Sequence, residues 1–174
     1  MFTSIVVAFD GSPHAGRALE TASRLAVENK AALSIVHVVE PSHMTVSDDV
    51  RRMVEVEHVI QPAPRLLVNL ESAPTEVVSS LTKAAAESQR TAFQLADYIV
   101  KLAEDDARSA GVENVVTEVV VGNPAEEILN VAKSREADLI VTGRRGFGKL
   151  KSMLLGSTSN KITQHAECSC LTVK

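Results

Sequence analysis

Residues 141–162 read VTGRRGFGKLKSMLLGSTSNKI and gather the residue types that hold polyphosphate. Gly143 and Gly146 follow an apolar run, and Gly156 stands directly before Ser157, Thr158 and Ser159. Arg144, Arg145, Lys149 and Lys151 bring four cations into a chain of net charge -4. Glycines let backbone come close to a ligand. The open N–H groups at a helix N-terminus carry partial positive charge and bind anions. The pattern therefore describes a phosphate cradle in two halves, one after a strand and one at the start of a helix. A glycine turn followed by a capped helix with solvated basic residues has the same composition, and residue types alone leave both readings open. A P-loop is a poorer fit. Gly143 to Lys149 reads G-x-x-x-x-G-K, but Leu150 stands where a hydroxyl should hold Mg2+. Residues 151–174 are also too few for the strands and metal-binding acid that such a fold still needs.

Other reactive residue types form weaker constellations. Asp10-Gly11-Ser12 follows the first apolar run and resembles the start of an aspartate-nucleophile D-x-D motif, but the second Asp is absent. Asp10 is expected to be a polar contact at a strand end. His165, Cys168 and Cys170 lack zinc-site spacing. Alternation along a strand puts both thiols on one face, so they are expected to be buried or partly buried. His37 lies in an apolar strand and reads as a satisfied core histidine. No Ser-His-Asp or Cys-His arrangement is evident, so no catalytic residue and no protein-held metal is assigned.

The elements that must position these residues alternate strand and helix. SIVVAF (4–9), LSIVHVV (33–39), NVVTEVVV (114–121), DLIVTG (138–143) and CLTV (170–173) are short, β-branched apolar runs. Ser12 and Pro13 begin a helix that carries Ala15, Leu19, Ala22, Leu25 and Ala26 on one face through about Glu28. A longer helix runs from about Ser88, or from as early as Thr75, to Ala110. Its apolar face is Phe93, Ala96, Val100, Ala103 and Ala107, and Gly111 is its stop. Asn123 caps a third helix, with Pro124 at its first position and Glu126 in the capping-box place. A fourth helix spans about Ser157 to His165. Residues 40–87 interrupt the rhythm with Pro41, Pro62, Pro64 and Pro74, and read as an insertion with some helix and a break at Pro62–Pro64. Alternating strands and helices give a single α/β domain, a doubly wound parallel sheet with helices on both faces. Ligands of such sheets bind beyond the carboxyl ends of the strands, where Asp10, Val38 and Gly143 lie.

Gly143-x2-Gly146-x9-Gly156-Ser157 matches the G-2x-G-9x-G-[S/T] signature of ATP-binding universal stress proteins. SIVVAFDGSPHAGRALE resembles that family's first strand, acid and helix, and LSIVHVVE its second strand. GNPAEEILNVAKSREADLIVTGRRG resembles its third helix and fourth strand. The resemblance covers nearly everything outside the insertion. It implies a five-stranded, Rossmann-like sheet of order 3-2-1-4-5 over residues 1–174, of the adenine nucleotide alpha hydrolase type. It also implies an ATP-binding stress-response regulator, with ADP or AMP as alternative ligands and Mg2+ accompanying the phosphates. Asp10 would contact the ribose, and Ala8 and Val38 would line the adenine pocket. Thr142, Gly143, Arg144, Arg145 and Gly146 would hold the phosphates together with Gly156, Ser157, Thr158 and Ser159. The family's last strand commonly pairs between subunits, which implies a homodimer through Cys170–Val173. Ser169 stands where many relatives have Pro, and Thr172 is less apolar than is usual there.

The insertion is placed beside the crevice, to cover the nucleotide or to offer a surface to an unidentified protein partner. With no positioned general base, ATP hydrolysis is expected to be slow. A nucleotide-independent dimeric scaffold would share the fold. An ATP-using transferase would carry its glycine-rich loop after the first strand, where this chain has FDGSPH. The acidic balance, pI about 5.7, argues against general nucleic-acid binding. The sequence shows no membrane-length apolar run and no signal-peptide pattern, so a cytoplasmic, membrane-free protein is expected.

Overall fold

The computed structural model describes residues 1–40, 75–146 and 156–174. Residues 1–40 and 95–174 form one compact unit and residues 41–94 another. Of the expected insertion at 40–87, residues 41–74, with the break at Pro62–Pro64, lie outside the described residues. In the remainder of that second unit, 75–94 are helical.

The first unit holds the sheet. β1 (Ser4–Ala8), β2 (Ala32–Val39), β3 (Val115–Val121), β4 (Leu139–Gly143) and β5 (Ser169–Val173) pair in the order β3-β2-β1-β4-β5. Every recorded pairing is parallel. The helices are α1 (Pro13–Asn29), α2 (Thr75–Ser109), α3 (Pro124–Ser134) and α4 (Ser157–His165). Two apolar clusters show that both faces are covered. Ile5, Val7, Leu33, Ile35 and Val141 pack with Ala18 and Ala22 of α1 and Ala103 and Ala107 of α2. Val6, Val36 and Ile140 pack with Ile128 and Val131 of α3 and Ile162 of α4. Burying a side chain such as Ile5 or Ile140 contributes about 1.5–3 kcal/mol. The chain reverses direction across the sheet between β1 and β4, which makes that pair of carboxyl ends the switch point.

Local chemistry fixes the boundaries. Ser12 Oγ accepts from Ala15 N at 3.2 Å, with Pro13 in the first turn, and caps α1. Asn123 Oδ1 accepts from Ala125 N and Glu126 N and caps α3, while Glu126 and Glu127 sit in the favourable first turn. α2 ends at Ser109, and Gly111 takes φ +97, a left-handed turn that suits glycine. The other ends of β1 and β4 are tied by Asp138. Its carboxylate accepts from Thr3 N (2.7 Å), Thr3 Oγ1 (2.8 Å) and Ser4 N (3.3 Å). Partial burial pushes the Asp138 pKa up, but these bonds to the ionised form outweigh it and hold the group below the ordinary carboxylate value.

Two expectations need correction. Strand β1 ends at Ala8, not at residue 9, because the ladder stops there. Phe93 shares helical spacing with Ala96, Val100, Ala103 and Ala107, but it is 38% exposed and belongs to the 41–94 unit. Among the described residues of α2 the buried face runs through Ala96, Val100, Ala103 and Ala107, since periodicity says which residues share a face and not how far along it burial extends.

Gly143 shows how tightly the switch point is packed. A Cβ there would lie 2.7 Å from the carbonyl carbon of His14 and 2.9 Å from Ala15 N, both backbone atoms of α1. Those atoms cannot rotate away. Gly143→Ala is therefore expected to lower the unfolding free energy by about 1–3 kcal/mol, the usual cost of overpacking. A denaturant midpoint unchanged from the native protein would contradict this packing role.

Candidate functional site

The carboxyl ends of β1 and β4 bring the predicted residues of the first unit together through backbone geometry. Asp10 folds its carboxylate back so that Oδ1 accepts from Ser12 N at 2.9 Å. Its other oxygen lies against the Cα of Gly146, where any added Cβ would collide with it. Ser12 Oγ lies 3.4 Å from the Arg145 carbonyl and donates to it. The loop after β4 is thereby fastened to the loop after β1. The start of α4 is fastened to the same loop. Gly156 N donates to Arg144 O at 2.9 Å, and Ser159 Oγ lies 3.3 Å from that carbonyl and 3.1 Å from Gly156 O. Arg144 N in turn donates to Val173 O at 2.6 Å, one rung beyond β4. Residues 147–155, including Lys149 and Lys151, lie outside the described residues.

The three signature glycines differ in what the fold asks of them. Gly143 is required by α1, and Gly146 by the Asp10 carboxylate. Gly156 has φ -65 and ψ 155, which any residue adopts, and a Cβ there would meet its nearest described neighbour at 3.4 Å, ordinary contact. Gly156 is also the N-cap of α4, which has no side-chain cap. The first N–H groups of a helix have no intrahelical acceptor. Ser157 is exposed and Thr158 half-buried at these first positions. Ser159 differs: it is buried, and its hydroxyl is directed to backbone carbonyls.

Ala8, Val38 and Thr142 share one sheet face at the carboxyl ends, the face that α3 and α4 cover further down. Ala8 and Val38 are partly buried against that cluster, and Thr142 follows Ile140 by alternation. Thr142 is buried, with Oγ1 3.5 Å from Thr172 Oγ1.

The pairing of β2 with β1 stops short at this face. Ala32 N donates to Thr3 O and Phe9 N to Val36 O, so even-numbered β2 residues face β1. Leu33 N to Asn114 O and Gly122 N to Val39 O show that odd-numbered residues face β3. The next rung would join Val38 N to Phe9 O and Gly11 N to Val38 O. Neither bond forms, and among the described residues no other group pairs with the Val38 peptide edge. Phe9 O instead accepts from His37 Nδ1 at 2.8 Å. A carbonyl only accepts, so His37 carries its proton on Nδ1. This is the satisfied histidine that the sequence suggests, but its bond lies at the edge of the crevice. Sequence reasoning missed that consequence, since only the strand register reveals it.

The remaining candidates carry no visible chemistry. Arg17 Nη2 lies 2.7 Å from His14 Nδ1 and donates to it, so His14 is held by its own helix. Cys168 and Cys170 are free, partly buried and on one face, as alternation suggests. Burial pushes both thiols up, aided at Cys168 by the Asp138 and Glu167 charges. They stay protonated and poorly nucleophilic. An open groove of about 480 Å³ between α3 and the α4–β5 connection is lined by residues including Leu129, Lys133, Ile140, His165 and Cys168, at the opposite end of the strands. Among the described residues no three His, Cys, Asp or Glu side chains converge on a metal position, and no helix is long and apolar enough to cross a membrane.

The family model described as "Universal stress protein family" matches residues 1–174. The chain is 34% identical over its whole length to universal stress protein YxiE of Bacillus subtilis, which it covers completely. Its fold is similar to that of universal stress protein UspA from Lactobacillus plantarum, with TM-score 0.72 and 22% identity over 99% of this chain and 97% of that one. A solved universal stress protein in complex with cAMP gives TM-score 0.62 and 22% identity, again over 99% and 97%. With the family model matched along the full sequence and a relative 34% identical over the same length, the chain belongs to the universal stress protein family.

Proposed function

We propose that the chain binds an adenine nucleotide, ATP with Mg2+, in the β1/β4 crevice and works as a regulator whose nucleotide state is read by a partner. The observation that carries this reading is Gly156. Among the described residues no packing contact or backbone angle demands glycine there, yet it stands at the uncapped start of α4, fastened to the loop whose Gly146 packs on Asp10. A phosphate approaching those N–H groups would supply both the missing cap and the reason for glycine. Gly146, Ser157 and Thr158 complete the phosphate half, with Arg144 and Arg145 as the cations of the same loop. Asp10 offers its carboxylate to the ribose hydroxyls. The open N–H and C=O of Val38 present a donor and an acceptor side by side, which suits the acceptor and amino group on one edge of adenine. The cAMP bound by the solved relative supports an adenine nucleotide. Mg2+ would sit mainly on phosphate oxygens and water, as it commonly does where no all-protein cage exists. With no general base assigned, turnover is expected to be slow, as for a binding protein. The 40–87 insertion is the surface we assign to the partner.

Subunit pairing through β5 belongs to the same reading. Among the described residues β5 is an edge strand that pairs with β4 alone. Ser169 N donates to Asp138 O, so the odd-numbered residues face β4, and Cys170 and Thr172 direct their N–H groups outward. An open edge of this kind is a ready template for a second copy.

Two measurements test the proposal. Calorimetric titration of nucleotide-free protein with Mg-ATP is expected to show saturable binding. Gly156→Val should weaken it by about tenfold or more while costing the fold no more than about 1 kcal/mol, the difference between glycine and valine at an N-cap. Verified nucleotide-free protein that takes up no ATP would leave the signature a structural feature and favour the scaffold reading. Sedimentation of native protein should give a dimer, and Thr172→Pro, which removes one outward donor, should give a monomer. A Thr172→Pro dimer of unchanged affinity would move the interface elsewhere.

A further inference from the structure

We infer that His37 is a positioning residue that keeps the Val38 peptide edge open by taking the Phe9 carbonyl out of the sheet ladder. The use of that edge by adenine rests on the nucleotide reading above; the open edge itself does not.

β2 runs on to Val39 and pairs with β3 along its whole length, to Val39↔Val121. Nothing in β2 therefore ends the β1–β2 ladder at Ala8↔Val36. The last rung formed is Phe9 N to Val36 O, at a full-strength 2.9 Å. The Phe9 carbonyl stands next in line for Val38 N–H, and a buried or half-buried carbonyl seeks a donor. The imidazole on the adjacent residue supplies that donor at 2.8 Å. Phe9 O is satisfied from the side, Val38 N–H loses its acceptor, and the chain after Phe9 is free to turn away into the Asp10–Ser12 loop. His37 is suited to this because Nδ1 branches directly from Cγ and reaches one residue along the neighbouring strand. A purely apolar side chain there would leave Phe9 O with Val38 N–H as its nearest donor, and the ladder would extend by one rung across the crevice. His37 would then govern which base is accepted without touching it.

The amide of Val38, followed by hydrogen exchange in nucleotide-free protein, reads this directly. In the native protein it should exchange much faster than Val36 and Val39, which are both bonded in ladders. In His37→Phe it should become protected, and Mg-ATP affinity should fall by about tenfold, the scale of one hydrogen bond left unmade. Binding of inorganic tripolyphosphate should be unchanged. His37→Asn, whose Nδ2 also branches from Cγ, should restore both fast exchange at Val38 and ATP affinity. A native Val38 amide as protected as Val36 overturns the inference without any variant. So does a folded His37→Phe protein with unaltered Val38 exchange. If native protein binds no ATP but Val38 behaves as expected, the nucleotide reading fails and the positioning role of His37 stands.

Discussion

A parallel strand that stops while its neighbours continue leaves backbone donors and acceptors with nowhere to go, and this constraint shapes the switch point. β1 ends at Ala8, between β2, which runs on to Val39, and β4, which runs on to Gly143. The chain must then turn out of the sheet without leaving buried polar groups unmet. Three short bonds accomplish the turn: His37 Nδ1 to Phe9 O, Ser12 N to Asp10 Oδ1, and Ala15 N to Ser12 Oγ. Each is local in space and modest in net energy, on the order of 1 kcal/mol. Together they fix Asp10 and expose one side of Val38.

The second half of the crevice is held to the first through the backbone carbonyls of the loop after β4. Arg144 O receives both Gly156 N and Ser159 Oγ, and Arg145 O receives Ser12 Oγ. Backbone carbonyls thus act as the fixed points, which leaves the exposed Ser157 and half-buried Thr158 available. The close approach of Gly143 to α1 sets the spacing between the two loops. This division explains why three glycines of one signature answer to different constraints: two are demanded by packing, and at the third an added Cβ would meet its described neighbours only at ordinary contact distance.

Much of this was legible in sequence. Short apolar runs marked all five strands, most plainly β1 and β4, which are buried along most of their length, although β3 and the edge strand β5 are only partly buried. Ser12-Pro13 and Asn123-Pro124 announced two helix starts, since capping chemistry is local. The glycine spacing pointed to the end of β4, where Gly146 packs against Asp10 from the loop after β1. What was not legible depended on register or on distant contacts. Phe93 fits the helical period, yet it is exposed. Ser159 reads as a phosphate-facing hydroxyl, but a buried position turns it toward backbone carbonyls. Gly143 reads as a ligand glycine, and only the three-dimensional approach of α1 reveals its packing role. His37 was recognisable as a core residue, but its effect on Val38 follows from which β2 residues face β1.

The most direct test of the two-part crevice is backbone amide shift mapping as Mg-ATP is titrated into nucleotide-free protein. The account predicts saturable changes at Asp10, Val38, Arg144, Gly146, Gly156, Ser157 and Thr158, with little change at Leu129, Lys133 and Cys168 around the groove at the other end of the strands. Saturable changes centred on that groove, or none at the crevice at saturating ATP, would contradict it.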